Sequence, residues 1–153
     1  MKSPCLSCEI VAGRRECPGG PILETDHFHI HQDIAYPVPG QVIVAAKRHF
    51  RILTEMSLSE TAELLPLLQK VRSAQQSVLA IKHVYYFYNE DTNHHFHVWM
   101  VPRHSWMGQF GKSIEAVRPA LVHARDNMNS SDEIRAVEAT TARIRDELIK
   151  LAQ

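Results

Sequence analysis

The residues best equipped for chemistry fall in Asn93-His94-His95-Phe96-His97-Val98-Trp99-Met100-Val101-Pro102-Arg103-His104. Three of the ten histidines lie within four positions there, and a fourth follows at 104. Strand side chains alternate between faces. Phe96, Val98 and Met100 are therefore expected on one side and His95, His97 and Trp99 on the other. Two imidazoles then stand ~7 Å apart along one face. Near neutral pH an imidazole can attack phosphorus, carry a proton or ligate a metal. A second group is Cys5-Leu6-Ser7-Cys8. By itself a CxxC pair is half of a zinc site, a redox pair or a coincidence. Glu9 to Gly13 reads as a short helical turn, unlike the helix that a redox pair opens in a βαβ context. His27, His29 and His31 alternate with Phe28, Ile30 and Gln32, which reads as one polar face of a strand rather than a metal site. Cys17 lies in the loop Cys17-Pro18-Gly19-Gly20-Pro21 and is expected to be a free thiol without function.

These side chains need a framework. Ile22 to Asp33 reads as a strand by alternation. Pro37-Val38-Pro39-Gly40 turns the chain, and Gln41 to Ala46 returns as an antiparallel partner ending in Lys47-Arg48-His49. Ser57-Leu58-Ser59-Glu60 has the form of a capping box. It predicts a helix to about Lys82 with Leu64, Leu68, Val71 and Val78 along one stripe, kinked at Pro66 or starting after it. His83 to Asn89 is strand-rich, and the polar loop 89–93 leads into the histidine strand. Two further helices are expected, Ile114 to about Met128 and Asp132 to about Ala152. Ser131 is expected to cap the second, whose stripe is Ile134, Val137, Ile144, Leu148 and Leu151. That stripe suits core packing or a dimer surface equally.

At 153 residues, 44% of them hydrophobic and 22% charged, the chain suits one soluble globular domain with a full core. Seventeen basic and seventeen acidic residues give no global attraction to nucleic acid or to a membrane surface. No apolar run reaches the ~20 residues of a membrane span. Nor does one of signal-peptide length follow the start, so a cytoplasmic location is expected.

His95-Phe96-His97-Val98-Trp99-Met100-Val101-Pro102-Arg103 resembles the signature of the histidine triad superfamily. That signature is three histidines separated by single apolar residues, then two apolar residues, then often Pro-Arg. Counting back from Pro102-Arg103 makes His95 the first triad position, His97 the middle one and Trp99 the third. Counting from Asn93 makes His95 the middle position instead. The first register keeps a histidine at the position of the family's nucleophile and is preferred. Trp99 departs from the expected third histidine; relatives that transfer nucleotides between sugars carry Gln there.

The resemblance spans roughly residues 5 to 107 and leaves 112–152 as a helical extension. It implies an α+β fold: an antiparallel sheet of about five strands, the long helix packed on it, and two added C-terminal helices. It also implies a homodimer and a nucleotide substrate. His97 would form a covalent nucleotidyl intermediate in a hydrolase or nucleotidyl transferase acting at an α-phosphate, with His95 serving the metal or orienting the site. Asp33 would accept from ribose hydroxyls, Ile34 would line the base pocket and Asn89 would hold the phosphate. The stretch before the triad is shorter than in many members and lacks their Gly, Gln and Ser. Asn93, Thr92, Arg103 and His104 are the candidates to replace the missing phosphate contacts. Some bacterial-type members bind zinc through residues matching Cys5, Cys8, His49 and His95, a closed, structural set of ligands. The competing reading is a zinc-stabilised nucleotide-binding or scaffold protein with little turnover.

Overall fold

The computed structural model describes residues 4–92 and 95–153. The strands are β1 (Leu23–Glu24), β2 (Phe28–Gln32), β3 (Val42–Ala46), β4 (Val84–Phe87) and β5 (His97–Pro102). They form one antiparallel sheet in the order β1-β2-β3-β5-β4. The helices are α1 (Leu6–Val11), α2 (Leu58–Leu79), α3 (Ile114–Asn127) and α4 (Ser131–Leu151), so the fold is α+β as expected. Among the described residues no helix is long and apolar enough to cross a membrane.

The single strand expected over 22–33 is two strands. Thr25 donates its N–H to the Phe28 carbonyl, while its Oγ1 accepts from the Phe28 N–H. This side-chain lock folds the chain back and pairs Leu23 with Ile30. Alternation alone could not reveal it, because both arms of a hairpin keep the same period of two. Gly40, at φ +77°, closes the next turn. A Cβ there would stand 2.5 Å from Leu79 Cδ1, so the turn sits directly on the end of α2.

One face of the sheet is covered by α2 and α4. Phe28, Ile30, Val44, Val98 and Met100 meet Leu67, Val71 and Ala74 of α2 and Ile144 and Leu148 of α4. The buried stripe of α2 thus runs through Leu67, Val71 and Ala74, with Leu64, Leu68 and Val78 at its margins. The helix is continuous through Pro66. Of the α4 stripe, Val137, Ile144 and Leu148 are buried, Ile134 is half-buried and Leu151 is exposed. Its cap is Ser130 rather than Ser131, because Glu133 stands three residues beyond Ser130 and completes a capping box. The opposite face carries α3 at one end, over Val101 and Val38, and is open at the other.

The capping box of α2 does more than start a helix. Glu60 accepts from the Ser57 N–H, and Arg48 donates to both Glu60 oxygens at 2.9 and 2.8 Å. The Arg48 guanidinium chiefly holds this buried carboxyl down at about 2, against an ordinary 4.5. The unfolded chain therefore takes up this proton first. The stabilisation is complete above about pH 4.5 and is lost as pH falls towards 2. Glu60→Gln should cost about 2 kcal/mol near neutral pH, discounted because Arg48 is half exposed, and almost nothing near pH 2. Urea unfolding of both proteins at the two pH values checks this. An equal gap at both would remove the pair as its source.

Candidate active site and metal centre

The open end of the second face is set by strand register. His97 pairs with Ala45, which pairs with His29; Trp99 pairs with Ile43, which pairs with His31. Directly opposed residues share a face, and His97, Trp99, Ile43 and His31 from these rows line a cavity of about 750 Å³. Phe96, Val98 and Met100 point the other way into the core, as the alternation requires.

His97 is half-buried, and its Nδ1–H donates to the His95 carbonyl at 2.8 Å. A neutral imidazole has one N–H, so this bond leaves the lone pair on Nε2. Trp99 stacks beside it, ring centroids 6.2 Å apart, and is held between Tyr36 and Phe87. Asp33 also lines the cavity. Its Oδ1 accepts from the Ala35 and Tyr36 N–H groups at 2.7 and 2.8 Å. Burial raises its carboxyl above the usual range, and those two donors oppose the rise. Ile34 follows on the wall.

The metal candidates come from three separate segments. Cys5 caps α1 and Cys8 lies in its first turn, with the helix anchored by buried Ile10. His49 and His95 are brought together by an extension of the β3–β5 ladder. Ala46 donates to the Phe96 carbonyl, Phe96 donates to the Phe50 carbonyl, and the two phenyl rings stack. The four ligand atoms lie within 4.8 Å of one another. Nδ1 of His95 is 3.2 Å from Nδ1 of His49, 3.4 Å from Cys8 Sγ and 3.7 Å from Cys5 Sγ; Cys8 Sγ is 3.3 Å from His49 Nδ1. Zinc–nitrogen and zinc–sulfur bonds of ~2.0 and ~2.3 Å give tetrahedral edges of ~3.3 to 3.8 Å, close to these four separations, so the set is compatible with a zinc ion. The Nε2–H of His95 donates to the Ala46 carbonyl, which turns the unprotonated Nδ1 towards the other three. Ligating histidines are normally oriented by just such a bond.

Cys5, Cys8, His49, His95, His97, Asp33, Ile34 and Trp99 therefore gather around one region. Asn89 does not line the cavity; its Oδ1 accepts from the Thr92 hydroxyl at 3.2 Å. Asn93 lies outside the described residues. Arg103 donates to Tyr85 and Gly111, and His104 to the Pro39 carbonyl. Neither lines the cavity. Arg51 does line it, on the loop after His49, and was not singled out by the sequence reading. The only signal was its spacing of two from His49. His29 and His31, expected on a polar strand face, are 1% and 3% exposed. Cys17 is a half-buried thiol that burial pushes up to about 11, so it stays protonated and inert.

No family model and no curated protein matches this chain. Solved structures do. A zinc-bound histidine triad family protein from Mycobacterium smegmatis is 22% identical, over 97% of this chain and 96% of that one, with a TM-score of 0.70. A hypothetical histidine triad nucleotide-binding protein from Sulfolobus tokodaii is 21% identical, over 96% and 93%, with a TM-score of 0.71. A HIT family protein from Bacillus anthracis is 18% identical, over 93% and 97%, at 0.63.

Proposed function

We propose that this chain, which has the fold of the histidine triad proteins, is a nucleotide hydrolase or nucleotidyl transferase working at an α-phosphate. One observation carries the reading: the bond from His97 Nδ1–H to the His95 carbonyl puts the lone pair of the neutral ring on Nε2, on a residue that lines the cavity. In the first step Nε2 attacks the α-phosphorus. The bond from phosphorus to the leaving group breaks, and the leaving group departs with the bonding pair and takes up a proton from solvent. A nucleotidyl–histidine remains. In the second step water, or the hydroxyl of an acceptor, attacks phosphorus, loses its proton and returns the bonding pair to Nε2. The carbonyl of His95 stabilises the N–H as charge develops on the ring. Arg51 at the cavity edge supplies positive charge for the phosphoryl oxygens, and Asp33 receives the ribose hydroxyls. The leaving group is an anhydride phosphate or a phosphoramidate amine.

Cys5, Cys8, His49 and His95 would hold a structural zinc. With all four positions filled by protein, it supplies folding energy and not a bound nucleophile. Trp99 at the third triad position favours a second reading, a nucleotide-binding protein with little turnover, since an indole cannot relay a proton to a leaving group. Hydrolysis of adenylyl or guanylyl phosphoramidates and dinucleoside polyphosphates separates the two. Tight binding with no product would decide for the second.

The chain also has an open sheet edge. β4 ends the sheet and exposes Tyr86 and Phe87, the kind of edge that proteins cover by pairing. A homodimer is expected, and light scattering at micromolar concentration should return twice the chain mass. A monomer there would remove the claim.

A further inference from the structure

The cavity holds a second buried imidazole that the proposed reaction does not use. His31 lines the wall and is 3% exposed. Its Nδ1 is 3.1 Å from Nδ1 of His29, itself 1% exposed. One of these nitrogens must donate and the other accept. The far end of the line decides which. His29 Nε2 is 3.6 Å from Glu24 Oε1, and the other Glu24 oxygen pairs with Lys47 at 3.3 Å. Burial lowers His29 and pushes His31 down to about 3, so both rings are neutral and each has one N–H. A lone pair facing a carboxylate oxygen is repelled, whereas an N–H is attracted. His29 therefore turns its N–H to Glu24 and accepts at Nδ1. His31 donates from Nδ1, and the lone pair of His31 lies on Nε2. Among the described residues no hydrogen-bond partner meets that Nε2, and it is not among the polar atoms sealed in the core.

We propose that His31 Nε2 is a fixed hydrogen-bond acceptor in the cavity wall, and that it selects nucleotides by a neutral donor on the nucleoside: an amine of the base or a hydroxyl of the sugar. The inference rests on the nucleotide reading above. A lone pair repels ionised phosphate oxygens, which are acceptors, so the selection acts on the nucleoside. Glu24 and His29 are positioning residues. They set which nitrogen of His31 carries the proton, with no contact to the ligand.

Two measurements test this. The first is nitrogen-15 correlation spectroscopy of the histidine side chains in the wild-type protein. It should find His31 protonated on Nδ1 and bare on Nε2. The opposite tautomer overturns the proposal. Glu24→Gln removes the charge that orients the line, and the mixed tautomer expected at His31 would support the relay. An unchanged tautomer would reject it. The second is calorimetry with adenosine monophosphate, its analogue lacking the 6-amino group, and its 2′-deoxy analogue. Wild-type protein should prefer the parent over one analogue by about tenfold, and His31→Phe should bring the amine ratio to about one or cut the deoxy ratio to the part that Asp33 retains. Collapse of the amine ratio assigns the donor to the base, and collapse of the deoxy ratio assigns it to the sugar. Neither ratio moving overturns the proposal. If His31→Phe fails to fold, the wild-type tautomer decides alone. Wild-type protein that binds none of the three fails the nucleotide reading itself and takes this inference with it. Binding with unchanged ratios fails only the inference.

Discussion

His97→Ala should lower turnover by at least ~10³-fold while leaving nucleotide affinity and zinc content nearly unchanged. The split follows from the geometry. The Nε2 of His97 is the proposed attacking atom, so its loss removes the covalent route outright. Asp33, Ile34, Trp99 and Arg51 still line the cavity, so the ground-state complex keeps most of its contacts. Steady-state hydrolysis of an adenylyl phosphoramidate, paired with calorimetry, reads both halves. The same experiment separates the two counting registers. Mass spectrometry after an acid-free quench should place the nucleotidyl group on His97. An adduct on His95, whose Nδ1 faces two thiols and His49, or full activity in His97→Ala, would sink the assignment.

Cys8→Ser should strip the metal and unfold the protein at a markedly lower temperature. A ligand that binds only the folded state stabilises by its excess over Kd, about 4 kcal/mol at a thousandfold excess. A strong chelator should therefore destabilise the wild type to the level of Cys8→Ser and leave the variant where it was. Cys17→Ser is the control, since Cys17 lies outside the ligand cluster and should change neither metal nor melting. Elemental analysis of protein prepared without chelator is the direct measurement. A zinc-free protein, or a melting temperature that ignores the chelator, would rule the centre out.

Much of this was legible from residue order because it depends on local periodicity. The split of His95, His97 and Trp99 from Phe96, Val98 and Met100 is a property of any strand. The start of α2 was written in Ser57 and Glu60. The cap of α4 is equally legible in Ser130 and Glu133, whose spacing of three Ser131 lacks. Other features depended on what covers a segment. His29 and His31 alternate like a solvated face, and nothing local says that Glu24 and Lys47 lie against one ring and a cavity wall takes the other. Arg51 lines the cavity and Asn89 does not. Both sit on loops whose course is set by packing, where spacing carries little information. Cys5, Cys8, His49 and His95 were gathered by resemblance to a family. Their spacing along the chain gave no reason to expect one tetrahedron.

That tetrahedron joins Cys8 to His49 across 41 positions and His49 to His95 across 46. An ion held there would cross-link three remote stretches and thin out the conformations open to the denatured chain. The entropy of closing a flexible loop grows only with the logarithm of its length, about 0.6 kcal/mol per doubling. The chain between the anchors could therefore be lengthened at exposed turns with little loss. Deleting an anchor would forfeit two closures at once. Variation in such a protein should accumulate as insertions between the ligands while the ligands themselves stay put.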